Sequence, residues 1–389
     1  MNAYIISAAR TPIGSFLGAF KTLTATDLGG VAVQGAIERS GLQMEAFDEV
    51  IMGNVLQAGV GQAPARQAAL KAGMPASIAA VTVNKVCGSG LKAVMMAGQA
   101  IRCGDAKAIV AGGMEAMTSA PHLVRNMRGG VKLGDNKMID AMVSDGLTCA
   151  FEGCHMGMHA EHIGRKFNVT REMQDEFALT SQLRAAKAVA DGVFKDEIVP
   201  VTVKSRKGET VVDTDEGPRP ESTLEGLAGL RTVFDREGTV TAGNASTIND
   251  GAAAVVVCDE ATAEGHDFKF RIVASHTSGT EPKDLFIAPV EAVRGACERG
   301  GVNLEDIDLF EINEAFASQM VACVNELGLG MDKVNVHGGG IALGHPIGAS
   351  GTRVLVSLMY AMKAHQKRLG CAALCLGGGN AVAMVIEAV

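Results

Sequence analysis

Two of the nine cysteines stand where a thiol can do chemistry. Cys87 lies in Val81-Thr82-Val83-Asn84-Lys85-Val86-Cys87-Gly88-Ser89-Gly90, a short strand that turns sharply, through glycines tolerant of unusual backbone angles, into a helix starting near Ser89. A thiol there sits at the positive end of the helix dipole, where the thiolate is stabilised and its pKa falls. The same N–H groups can hold an oxyanion. A purely structural turn is the competing reading. Cys375, in Leu374-Cys375-Leu376-Gly377-Gly378-Gly379, ends an apolar run and is followed by backbone amides free to bind. A core cysteine is the alternative there.

Two further clusters supply polar partners. His345 stands in Val336-His337-Gly338-Gly339-Gly340-Ile341-Ala342-Leu343-Gly344-His345-Pro346-Ile347-Gly348, between glycines and ahead of a helix, where an imidazole can act as a base. Asn313, in Glu311-Ile312-Asn313-Glu314-Ala315-Phe316, falls at the end of a strand, a usual place for site residues; a helix cap explains it equally well.

An internal repeat positions these clusters. Ala36 to Asn54 (AIERSGLQMEAFDEVIMGN) aligns without a gap on Ala296 to Glu314 (ACERGGVNLEDIDLFEINE). Each copy reads as a helix closed by a left-handed glycine, Gly41 or Gly301, then a loop and a buried strand. The register puts Asn313 opposite Gly53, Gly88-Ser89-Gly90 opposite Ala349-Ser350-Gly351, and Gly348 opposite Cys87, which brings His345 near the counterpart of the thiol. The run Ala108 to Ala111 before Gly112-Gly113 parallels Ala372 to Leu376 before Gly377-Gly378-Gly379. Alternating strands and helices predict two similar α/β halves. Residues 1–118, completed by about 249–269, form the first and 270–389 the second. The polar, turn-rich stretch 119–248 has no copy and reads as an inserted loop domain covering a substrate.

Composition narrows the function. The 389 residues are 47% hydrophobic and 20% charged, enough for a substantial core and two or three domains. A formal charge of −8 with interspersed signs and few aromatics gives no footprint for nucleic acid. No basic region precedes an apolar one at the start, and no apolar run reaches 18 residues, so a soluble, unexported protein of the reducing cytoplasm is expected. No Cys-x-x-Cys pair supports a zinc ribbon or a disulfide framework.

Cys87-Gly88-Ser89-Gly90, Asn313-Glu314-Ala315-Phe316-Ala317, Gly344-His345-Pro346-Ile347-Gly348 and Cys375-Leu376-Gly377-Gly378-Gly379, in this order, resemble the thiolases, from Arg10-Thr11-Pro12 to the last residues. Thr239 to Ser246 and Asn249-Asp250-Gly251-Ala252-Ala253 also match and put the end of the loop domain near 248. The resemblance implies an α/β fold of two βαβαβαββ halves in five α/β/α/β/α layers with an inserted loop domain. It implies reversible Claisen condensation of two acetyl-CoA to acetoacetyl-CoA and CoA, without metal or redox cofactor and without a membrane partner. Cys87 would carry the acetyl group, His345 activate it, and Cys375 take the methyl proton of the second acetyl-CoA. His345 with a water held by Asn313 would form one oxyanion hole; the amides of Cys87 and Gly377 would form the other.

His155-Met156 resembles the short-chain, biosynthetic type, with Leu147, Phe234, Ala242, Ser246, Ala315 and Phe316 around the acyl pocket. Arg219 matches an arginine near the adenine of coenzyme A. Residues 125–132 resemble a tetramerisation loop, so a homotetramer is implied. Leu285-Phe286-Ile287-Ala288-Pro289, His337 and Gly226 depart from the family's usual residues and bear on acyl preference and coenzyme A affinity. The alternative is a degradative 3-ketoacyl-CoA thiolase acting on longer chains.

Overall fold

A computed structural model describes residues 2–206 and 208–389. The first half contributes β1 (Tyr4–Arg10), β2 (Glu49–Gly53), β3 (Ala79–Val83), β4 (Ala108–Ala116) and β5 (Asn249–Cys258); the second contributes β6 (Phe270–Gly279), β7 (Leu309–Ile312), β8 (Leu369–Leu376) and β9 (Asn380–Ala388). They lie in the order β7-β8-β9-β6-β1-β5-β4-β2-β3. The order reads alike outward from the middle, where β1 and β6 pair antiparallel through Tyr4–Arg271 and Ile5–Phe270. β2 is parallel to β3 and β4, and β7 is parallel to β8. A single bridge from Phe310 to Val334 takes the place that β3 holds beside β2.

Eight longer helices cover these strands: α1 (Ala25–Ser40), α2 (Pro64–Lys71), α3 (Ser89–Cys103), α4 (Met156–Lys166), α5 (Arg171–Ala190), α6 (Ala288–Gly300), α7 (Ala317–Leu327) and α8 (Ile347–Ala364). Strand alternation builds the layers. Val255 and Val257 of β5 and Val382, Met384 and Ile386 of β9 face α3 and α8 in the central core. Ala254, Val256 and Cys258 face α1, and Ala381, Ala383 and Val385 face α6 and α7. Each fully buried large apolar side chain contributes about 1.5–3 kcal/mol, so the central strands of the sheet, covered on both faces, dominate the stability.

Gly41 and Gly301 close α1 and α6 in the left-handed conformation, at φ 69° and 61°, with N–H groups donating to the carbonyls of Glu38 and Glu298. The repeat's register therefore holds at its helix ends. It slips farther on. Gly53 pairs with Gly113 and Ile312 with Ala373, so Gly112-Gly113 correspond to Ala373-Leu374, not to Gly377-Gly378. The two sets of glycines also do different work. A Cβ on Gly113 would lie 2.1 Å from the Gly348 carbonyl, so this strand glycine admits the start of α8, whereas Gly378 and Gly379, at φ 87° and 83°, turn the chain from β8 to β9.

At the centre, α3 crosses α8 backbone to backbone. A Cβ on Gly90 would stand 2.8 Å from the Thr352 nitrogen, and one on Gly351 would stand 2.4 Å from the Leu91 nitrogen. These two glycines are repeat partners, and no residue with a Cβ fits at either.

Candidate active site

Strand β3 ends at Val83, and the turn that presents Cys87 is built by side chains. Asn84 Oδ1 accepts from the Val86 N–H at 3.1 Å; Ser89 Oγ accepts from the Lys85 N–H at 2.8 Å and donates to the Val86 carbonyl at 2.6 Å. Val86 sits at φ 47°, a left-handed conformation that costs a β-branched residue about 1–3 kcal/mol. The sharp bend was expected at the glycines; instead Val86 carries it, while Gly88 has an ordinary φ of −83°. Gly88 is required for closeness, since a Cβ there would come within 2.0 Å of Leu376 Cδ2.

One cavity of about 620 Å³ gathers the residues singled out from sequence. Cys87, His345, Cys375 and Gly377 line it together with Leu147, His155, Met156, Arg219, Phe234, Ala242, Ser246, Ala315 and Phe316. Asn313 is fully buried behind this wall. Its amide nitrogen lies 3.5 Å from His345 Nδ1 and 3.4 Å from Nε2, and its Oδ1 has no partner among the described residues. The capping alternative for Asn313 does not apply, because Phe316 holds the N-cap position of α7.

Electrostatics overturn one expectation. Burial pushes the Cys87 thiol up to about 12, against the N–H groups of Cys87 and Gly377, which reach toward the sulfur and favour the thiolate; the Glu115 carboxylate adds to the rise. Desolvation outweighs the helix dipole, so the resting nucleophile is a neutral thiol. Cys375 is raised further by burial, with Cys87 and Cys323 nearby. His345 moves the other way: burial, then Arg353, lower it to about 3, so its imidazole is neutral at physiological pH.

Ser350 Oγ lies 2.9 Å from the Pro346 carbonyl and 2.6 Å from His345 Nδ1; assigning its proton to the carbonyl makes Nδ1 the donor, the tautomer that a base at Nε2 requires. Nε2 keeps its lone pair. The His345 N–H donates to Asn249 Oδ1 at 3.0 Å, which anchors the turn between the halves.

Ser350, Asn249 and Glu115 are site residues that sequence reasoning missed. Glu115 ends the apolar strand β4, fully buried, and accepts from Asn54 Nδ2 (2.8 Å) and the N–H groups of Val55 (3.0 Å), Leu56 (3.2 Å) and Gly348 (3.0 Å). It thereby fastens the start of α8 to the first half. The only signal was a lone acid in an apolar run. Burial raises Glu115 to about 7, with those amides opposing, and raises Glu311 to about 8 despite its 2.9 Å contact with Arg353.

A stability prediction follows. Both carboxyls bind protons more readily folded than unfolded, so their contribution is full below about 4.5 and is lost as pH rises through 7 and 8. The denaturant midpoint should fall between pH 5 and 8.5, less steeply in Glu311→Gln. An equal slope in that variant refutes the assignment.

The acyl end is aromatic. His155 caps α4, its Nδ1 accepting from the Gly157 N–H at 3.1 Å, and stacks on Phe234 with centroids 4.6 Å apart. Phe316 meets Phe234 and Phe286 edge-on at 6.3 and 5.2 Å. Leu285 and Phe286, from the departing segment, both line the cavity. Arg219 stands exposed at the rim, and Phe16 adds an apolar edge there. The other departures lie elsewhere: His337 pairs with His365, Nε2 to Nε2 at 3.2 Å, and Gly226 sits in a short helix capped by Thr223. Neither is on the cavity wall.

Comparison with known proteins gives the class first. The family models described as "Thiolase, N-terminal domain" and "Thiolase, C-terminal domain" match residues 3–261 and 267–388. The chain belongs to the thiolase family, and its two α/β halves have the thiolase fold. Among individual relatives, it is 53% identical over 389 residues to an acetyl-CoA acetyltransferase of Escherichia coli (strain K12), covering 99% of each chain. It is 53% identical over 385 residues to one of Rhizobium meliloti (strain 1021), covering 98% of each. The crystal structure of the Bacillus anthracis acetyl-CoA acetyltransferase superposes with a TM-score of 0.97 at 42% identity, covering 100% of this chain and 99% of that one.

Proposed function

We propose that this chain condenses two acetyl-CoA molecules into acetoacetyl-CoA and CoA, reversibly, through an acetyl group carried on Cys87. The observation that carries the reading is the cavity itself: a thiol with two main-chain N–H groups aimed at its sulfur, a neutral imidazole and a second thiol share one enclosed space. Relatives at about half identity over their full length, named acetyl-CoA acetyltransferases, support it.

The protonation states dictate the order of events. His345 Nε2 takes the Cys87 proton as the sulfur attacks the thioester carbonyl, so the thiolate never stands alone in a buried site. The amides of Cys87 and Gly377 hold the oxyanion. The departing CoA sulfur takes the proton of Cys375, a transfer that leaves the pair with one thiol and one thiolate. The Cys375 thiolate then removes a methyl proton from the second acetyl-CoA, and the resulting carbanion attacks acetyl-Cys87. The adduct collapses with cleavage of the Cys87 sulfur–carbon bond, acetoacetyl-CoA leaves, and the Cys87 sulfur takes back the proton held on His345. His345 and Asn313 serve the enolate oxygen, Asn313 through a water. Coenzyme A thioesters are substrates, and no separate cofactor takes part.

Residues 119–248 act as the loop domain of this reading, bringing Leu147, His155, Met156, Arg219, Phe234, Ala242 and Ser246 over the site. Arg219 at the rim receives the adenine end of coenzyme A. Val124, Met127, Val131, Leu133 and Met138 are exposed apolar residues around the 125–132 segment, and their exposure supports a homotetramer in which a second copy covers them. No helix among the described residues is long and apolar enough to cross a membrane, in keeping with a cytoplasmic enzyme.

Labelled acetyl-CoA should place one acetyl group per chain on the peptide containing Cys87. Label confined to another cysteine ends the reading. For chain length, Phe286, Phe316, Phe234 and Met156 leave little room beyond a short acyl group. The enzyme should favour acetoacetyl-CoA over a ten-carbon ketoacyl-CoA in kcat/KM, and Phe286→Leu should move that ratio toward the longer chain by about tenfold. An unaltered enzyme that prefers the ten-carbon substrate makes this the degradative type instead.

A further inference from the structure

A second group of side chains converges beside the cavity. The chain folds back between Cys149 and Cys154: the Cys149 N–H donates to the Cys154 carbonyl and the Gly153 N–H to the Cys149 carbonyl, both at 2.8 Å, and a Thr148–His155 bridge closes the turn. Helix α4 begins directly after it. Glu152, Cys154 and His159 thereby bring one possible ligand atom each to within 4.8 Å of one another. Cys154 Sγ lies 3.6 Å from His159 Nε2, and Glu152 Oε2 lies 3.9 Å from Nδ1 of the same ring. Zinc bonds of about 2.3 Å to sulfur and 2.0–2.1 Å to nitrogen, opened to a tetrahedral angle, set those atoms roughly 3.6 Å apart. The thiol and the imidazole already stand at that separation. His159 is buried, Cys154 partly buried and Glu152 exposed, so solvent reaches the cluster from one side; Glu152, beside Nδ1 here, turns its exposed carboxylate toward Nε2 to share an ion with the thiol.

We propose that Glu152, Cys154 and His159 bind a borderline-soft divalent cation of the zinc class, with water in the fourth position. Binding breaks the Cys154 S–H bond, forms a sulfur–metal bond and releases that proton to solvent; no oxidant is involved. A thiolate and an imidazole select zinc or cobalt over magnesium and calcium. None of the three residues lines the catalytic cavity, yet His155 and Met156, which lie between Cys154 and His159 in the chain, both do. The ion ties the 149–154 turn to the first turn of α4 and stiffens that stretch of the acyl wall.

The test titrates the whole enzyme, reduced and freed of metal, with zinc against a chromophoric chelator and with cobalt by absorbance. One zinc per chain and a thiolate-to-cobalt charge-transfer band are expected, both kept in Cys87→Ser. Cys154→Ser should abolish the band, and Cys154→Ser and His159→Gln should each weaken zinc by at least about tenfold. Both variants should turn over acetoacetyl-CoA in the absence of metal. Should either fail to fold, Glu152→Gln, altered only at an exposed side chain, must still weaken zinc. Failure of the unaltered enzyme to bind zinc, undiminished binding in Cys154→Ser, or a band that vanishes in Cys87→Ser overturns the proposal.

Discussion

Cys375→Ala should take up one acetyl group per chain on Cys87 and then stop, with condensation slowed about 10²- to 10⁴-fold, the range for loss of a positioned acid or base. Burial raises the Cys375 thiol well above its ordinary value, which makes it a poor acid at rest and a strong base once its proton has gone to the departing CoA. The methyl protons of acetyl-CoA are weakly acidic, and removing one needs a base of that strength held in a dry cavity. Alanine keeps the small volume that the buried core around Cys375 tolerates, so acetylation of Cys87 should still go to completion, slowed only by loss of the proton that Cys375 gives the departing CoA. The measurement is exchange of methyl hydrogen with deuterated water by the acetylated enzyme. Exchange at the unaltered rate in Cys375→Ala removes the residue from the mechanism.

His345→Asn should fail one step earlier. With burial holding the Cys87 thiol up at about 12, little of it is ionised near pH 7. Acetylation therefore depends on His345 Nε2 receiving the proton during attack, and the variant should acetylate about 10²- to 10⁴-fold more slowly. Alkaline pH should partly restore the rate in His345→Asn, because hydroxide then generates the thiolate that the imidazole no longer assists. The unaltered enzyme should show no loss of acetylation between pH 8 and pH 5 from His345 itself, which titrates near 3. A pH-independent rate in the variant would place Cys87 as a resting thiolate and contradict the assigned base.

The two variants should fail at different steps, although Cys87, His345 and Cys375 line one cavity. All three were legible because each sits against glycines in a run whose neighbours are otherwise apolar. The fold was legible because Gly41 and Gly301 repeat a helix end with its strand behind it. What escaped notice depends on distance along the chain. Glu115 finds its partners 59 to 61 and 233 residues away, so its neighbours in sequence say nothing of them. Ser350 looked like part of a helix start, and only the three-dimensional turn aims it at His345 Nδ1. The expected acidity of Cys87 failed for a related reason: a helix start is local and readable, while the covering of that start by Leu376 and the second half is not. Val86 escaped because a β-branched residue at positive φ is held there by the surrounding hydrogen bonds rather than by its own preference.

The crossing of α3 and α8 at Gly90 and Gly351 makes the active site a single rigid part. One helix follows Cys87 by two residues and the other follows His345 by two, and at Gly90 and Gly351 their main chains meet directly. Side-chain packing yields when a neighbouring residue changes size; two backbones in contact have no such slack. The spacing of thiol and imidazole is thus insulated from drift in the two outer helical layers, and sequence can vary there without retuning the chemistry.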